Sequence, residues 1–251
     1  DYRPVYDNGE FTYVWDGAEI RPSNEVITYA DSNAIVTRPN DASYDFTGVA
    51  AGETLYILPS SNNPSLPYLG FSGESLLANV FADYRPSDPR TTTPTPREYL
   101  NVQMVGMRSS SDGDFSVYSI SSGTPRVWMA TSDGLSSTDN IWLRPASHSH
   151  FNVAFSKPGR YEIDVVVSGY LDSNANNALD ASDVYVESGI KTMVFHVDTL
   201  GARDDMFAIA GQEMLVSSVV LNDQWADGFG AFTASVDTTT TKGDLILQPN
   251  G

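Results

Sequence analysis

Cysteine is absent from the 251 residues, lysine occurs three times, and no apolar run approaches the ~18 residues of a membrane-spanning helix. Without cysteine there is no disulfide framework, no thiolate zinc site and no cysteine nucleophile. Bases are scarce throughout: 14 Lys+Arg face 32 Asp+Glu, for a formal net charge of −18. That balance argues against nucleic acid and anionic membrane surfaces as partners, since both require Lys/Arg patches, and it favours divalent cations. No HExxH, Walker A or GxGxxG motif occurs. The segment LGFSGES at 69–75 lacks the Gly-x-Ser-x-Gly of a nucleophile elbow. No signal-peptide pattern is present, and the first residue is Asp1 rather than Met, which reads as a processed or trimmed product.

Helical periodicity is also scarce. Only residues 74–83 (ESLLANVFAD) carry apolar residues at helix-like spacing. Strand signals, by contrast, recur along the chain: 11–15, 25–29, 54–58, 99–107, 114–120, 126–131, 140–144, 149–155, 161–168 and 189–197. These segments are short, rich in β-branched and aromatic residues, and bounded by Gly/Pro/Asn/Asp/Ser clusters. In one of them Tyr161, Ile163, Val165 and Val167 share a face, opposite Glu162, Asp164 and Ser168. The expected fold class is all-β, an antiparallel β-sandwich of jelly-roll or immunoglobulin-like type. Composition changes near 199–203, which divides the chain into a sandwich domain at 1–200 and a second, incomplete β unit at 201–251.

The acid excess is uneven. Residues 1–160 hold 18 acids and 11 bases, whereas residues 161–251 hold 14 acids and three bases. The most ordered part of that excess is DSNANNALDASD at 172–183. Set against a 12-residue calcium loop, Asp172, Asn174, Asn176, Asp180 and Asp183 fall at positions 1, 3, 5, 9 and 12, and Ala178 would offer its carbonyl at position 7. Hard oxygen ligands at alternate positions let one loop wrap one Ca²⁺. Asn177 stands where a glycine is usual and tolerates left-handed geometry better than most residues. The flanks read as strands, so the expectation is a calcium loop within a hairpin. The competing reading is an ordinary acidic, Asn-rich hairpin turn.

His148, His150 and Asn152 fall on one face of a strand pattern, and His196 lies on another strand. Residues i and i+2 are about 6.6 Å apart along a strand, so two imidazoles can converge on one cation. If the strands are neighbours, the three histidines could hold Zn²⁺ or a similar metal; otherwise they fix the sandwich edge or are solvated. Trp15, Tyr56, Tyr68, Phe71, Trp128 and Trp142 suggest a carbohydrate platform, although alternating aromatics are more often core.

Several stretches carry a family resemblance: GETLYILPSS and LPYLGFSGE within 52–74, LNVQMVGMRSSSDGDFSVYSI at 100–120, HSHFNVAFSKPGRYEIDVVVSGYL at 148–171 and SGIKTMVFHV at 188–197. On these, residues 1–198 resemble the actinobacterial-type surface-anchored domain, also called the choice-of-anchor M domain, of exported bacterial surface proteins. Val153-Ala154 departs from the Trp that commonly follows the Asn in that family. Residues 204–251 resemble the start of a bacterial cadherin-like or immunoglobulin-like tandem repeat whose closing strand is missing. The resemblance implies a non-catalytic, extracellular cell-surface protein in adhesion, envelope architecture or filament assembly. Its partners would be other surface subunits, or copies of itself, joined by β-strand addition to an open sheet edge. Two alternatives follow: a Zn²⁺/Mn²⁺ capture module, since some relatives occur beside metal-uptake transporters, and an accessory carbohydrate-binding module.

Overall fold

The computed structural model describes residues 1–17, 19–84, 90 and 100–198. The expected second unit at 201–251 lies outside them. Sixteen strands are present among the described residues, together with three short 3₁₀ turns.

The strands form three sheets. The first joins β1 (Tyr2–Asp7), β2 (Glu10–Asp16), β3 (Ile20–Pro22), β7 (Gly70–Ser72) and β12 (His148–His150) in the order β12-β7-β1-β2-β3. The second comprises β5 (Ile35–Thr37), β6 (Thr54–Leu58), β9 (Phe115–Ser121), β10 (Thr124–Ala130) and β13 (Asn152–Phe155), ordered β10-β9-β13-β6-β5. The third is built from β4 (Ile27–Ala30), β8 (Leu100–Ser109), β11 (Asn140–Leu143), β14 (Gly159–Leu171) and β16 (Lys191–Val197), ordered β11-β8-β14-β16-β4. β15 (Val184–Glu187) pairs with the far end of β14.

The all-β sandwich expected from the strand pattern is present; its second sheet is purely antiparallel, and the first and third are mixed. β1 runs parallel to β7 at Tyr2↔Phe71, and β16 runs parallel to β4 from Val194↔Ile27 to Val197↔Ala30. Long intervening chain makes these pairings reachable, because parallel neighbours need a crossover rather than a tight turn.

One core unites the sheets. Tyr161, Ile163, Val165 and Val167 are fully buried along the inner face of β14, as their alternation requires. Phe195 of β16 contacts Tyr2 of the first sheet at 5.9 Å and Phe115 of the second at 5.8 Å between ring centroids. A buried aromatic of this size contributes roughly 1.5–3 kcal/mol by leaving water. On the outer face of β14, Asp164 is nevertheless buried. Arg108 of β8 grips both its carboxylate oxygens, and Thr192 Oγ1 donates to Oδ1 at 2.7 Å.

Two local expectations are corrected. Residues 74–83 form successive turns, not a helix. Asn79 sits at φ 62°, and the nearby backbone is taken up across the chain: Ala82 N–H donates to Tyr170 O, and Asp172 N–H to Val80 O. The apolar spacing there serves to bury Leu76 and Phe81 while Leu77 faces solvent. The expected single strand at 149–155 is two strands. The chain breaks at Phe151, whose buried ring wedges against Phe71 (5.7 Å) and Trp128 (5.9 Å), so that β12 joins the first sheet and β13 the second.

Candidate functional site

The loop at 172–183 fills the β14–β15 hairpin, whose last pair is Leu171↔Val184. Its polar side chains turn inward onto its own backbone. Asp172 Oδ1 accepts the N–H of Asn176 (3.1 Å) and Oδ2 that of Asn177 (2.7 Å). Asn174 Oδ1 accepts from Asn176 N (3.1 Å), and Asn176 Oδ1 from Ala178 N (2.7 Å). Asp183 closes the circuit, its two oxygens accepting from Ser173 N (3.1 Å) and Asp180 N (2.8 Å). Asn177 holds φ 61° and Ala175 φ 57°, which bends the chain sharply at the position where a calcium loop usually carries glycine. The loop is anchored to the 74–83 turns by Asp83 N–H on Asn177 O at 3.1 Å.

Asp180 is the electrostatic focus. Ser182 donates to it through Oγ (2.6 Å) and backbone N (2.8 Å), and Asn174 and Asn176 donate through their amide nitrogens at 2.9 and 2.6 Å. These donors, Ser182 first, hold its carboxyl far below the usual carboxylate range. The Asn174 and Asn176 amide protons thus face an anion. Rotation of those amides would present their oxygens instead, which is the orientation a cation would require. Among the described residues, the carboxylates of Asp172, Asp180 and Asp183 are not gathered within 4.8 Å of one another.

The histidines do not form the trio that their spacing allows. His148 and His150 project from β12 with ring centroids 5.2 Å apart. His196 belongs to β16, whose neighbours are β14 and β4, and it stacks on Tyr29 at 5.7 Å. Asn152 departs with β13, where its Oδ1 accepts the N–H of Ser60 at 3.0 Å. The break at Phe151 separates Asn152 from the two histidines, and the placing of β16 between β14 and β4 in the third sheet separates His196.

Two acids replace them around His148. Asp1, Glu74 and His148 present ligand atoms all within 4.8 Å of one another, the only such group of His, Asp and Glu among the described residues. Glu74 Oε1 lies 2.8 Å from His148 Nδ1, and Glu74 Oε2 accepts from the buried Ser72 hydroxyl at 3.3 Å. The His148 contact is the main cause holding the Glu74 carboxyl below its ordinary pKa. Neither acid is separable from the general acid excess by sequence pattern. They meet because β7 runs between β1 and β12, with Tyr2↔Phe71 on one side and His148↔Ser72 on the other.

The aromatic residues do not make a platform. Phe71 and Tyr56 are buried in the core. Tyr68 is face-to-face with His150 at 3.7 Å, and Trp128 donates its indole N–H to Ser119 at 3.0 Å. Trp15 and Trp142 are half-buried.

No protein-family model, curated protein or solved structure matches the chain.

Proposed function

We propose that the chain is a non-catalytic structural module of an exported bacterial surface or extracellular protein, stabilised by Ca²⁺ in the 172–183 loop. The observation that carries this reading is the closed circuit of Asp172, Asn174, Asn176, Asp180 and Asp183 side chains around a left-handed Asn177 within a β-hairpin. The oxygens of Asp172 and Asp183 accept one backbone N–H each and retain a further lone pair for a cation, while Asp180 takes its donors from Ser182 and from the two Asn amides. Calcium entry turns the Asn174 and Asn176 amides about and draws the three carboxylates together, which relieves their mutual repulsion. The ion then fastens the far end of β14 to β15 and to the turns at 74–83. The extracellular role rests on the sequence resemblance of residues 1–198, and assembly through the unit at 201–251 rests on sequence alone.

Titration calorimetry with CaCl₂ tests the reading. One site in the parent, lost in Asp172→Ala, supports it. Absence of calcium binding in the parent would remove it. For the assembly role, light scattering of the full chain in calcium should detect species larger than a monomer; a strictly monomeric profile argues against self-assembly.

A further inference from the structure

We infer that Asp1, Glu74 and His148 form a second cation site, specific for a first-row divalent metal of the zinc class, on the first sheet and independent of the calcium loop. Three donors from three separate parts of the chain converge there: the start of β1, the turn after β7, and β12. Around a tetrahedral ion with bonds near 2.0–2.2 Å, ligand atoms stand about 3.4 Å apart. The present limit of 4.8 Å therefore closes by at most about 1.4 Å, within reach of side-chain rotation at exposed residues. Glu74 and His148 are exposed and Asp1 is half-buried, so a hydrated ion can enter and keep a water or outside ligand as its fourth partner.

The surroundings fit this use. Gly70 leaves the space under the site open: a Cβ there would meet Asp1 Oδ1 at 2.6 Å and His150 Cε1 at 3.1 Å. Ser72, fully buried, fixes the Glu74 carboxylate from behind through Oε2, the kind of supporting contact that orients a metal-bound carboxylate. The nearby Arg3 guanidinium pairs with Asp16 at 3.1 Å. His150 lies on the same strand, its ring centroid 5.2 Å from that of His148, and is not one of the three converging donors. One imidazole with two carboxylates is a donor set for zinc or its neighbours, whereas calcium is served by oxygen alone.

Titration of the metal-stripped full chain with ZnCl₂ in calcium-saturated buffer, with Co²⁺ absorption as a second readout, tests the site. The parent is expected to bind one equivalent. His148→Ala and Glu74→Gln should each weaken binding by at least about tenfold. Gly70→Ala should do the same by displacing Asp1, with the far-UV circular dichroism spectrum unchanged in all three. Asp172→Ala and His196→Asn should bind zinc as the parent does. No zinc heat and no cobalt d–d bands in the parent, or parent-like affinity in folded His148→Ala, would overturn the site and leave the calcium reading untouched.

Discussion

The backbone N–H of Asn177 donates to Oδ2 of Asp172 at 2.7 Å, and Asn177 sits at φ 61°. The bond reaches five residues back along the chain and folds the first half of the hairpin loop into a cup. Left-handed backbone is costly for most L-residues and mild for Asn, whose short polar side chain can bond locally. The position therefore selects for Asn or Gly through conformation, before any ion is considered.

Asn177→Gly should leave stability and calcium affinity near the parent values, because Gly adopts the same φ freely. Asn177→Val should cost about 1–2 kcal/mol, since a β-branched residue there is strained. Chemical denaturation of the two variants checks this, and equal stability of both would contradict the stated geometry.

Phe151 divides one apparent strand between two sheets and is 6% exposed. Phe151→Ala should destabilise the protein by about 3–5 kcal/mol through lost burial and a residual cavity. It should also loosen β12, detectable as faster amide exchange at His148 and His150 than at Val153 and Phe155. Uniform exchange across both strands would count against its role as the divider.

Asp164 is held ionised first by its hydrogen bonds to Arg108, with Thr192 assisting, so its carboxyl titrates below the ordinary value. A depressed folded-state pKa contributes stability that is present above the unfolded pKa, near 3.9, and is lost as pH falls through the folded value. Arg108→Ala leaves a buried carboxylate short of donors and should cost about 1–3 kcal/mol near neutrality. That difference should shrink as pH falls below the unfolded value of about 3.9 and through the lowered folded one, as measured by urea unfolding across pH.

His196 has its pKa lowered, chiefly by burial and against the attraction of Asp198. The folded state therefore resists its protonation. Stability should be fully present above about pH 6.5 and decline as pH falls through the lower folded-state value. His196→Asn should flatten the slope of the denaturation midpoint between pH 7.5 and pH 5, whereas an unchanged slope would contradict this origin.

Much of the fold is legible in the sequence because alternation has a direct physical cause. Tyr161, Ile163, Val165 and Val167 face inward, and residues 54–58 coincide with β6. The hairpin loop is equally legible, since its ligand-type residues are consecutive. What stays hidden depends on long-range pairing. Nothing local marks the switch of sheets at Phe151, because the apolar alternation continues straight through it. Asp1 and Glu74 look like two acids among 32, and only the position of β7 between β1 and β12 gives them His148 as a neighbour. The turns at 74–83 imitate a helix because Leu76 and Phe81 need the same core that a helix face would seek.

In the proposed function, Ca²⁺ in the 172–183 loop holds β14 to β15. The most direct test is thermal unfolding of the full chain in EGTA and in Ca²⁺, for the parent and for Asp172→Ala. Free calcium at ten times Kd stabilises the parent by about 1.4 kcal/mol, which corresponds to a rise in Tm of roughly 3–6 °C for a domain of this size. That rise is expected in the parent and should be lost in Asp172→Ala. An identical Tm with and without calcium in the parent, or an undiminished rise in Asp172→Ala, would contradict it.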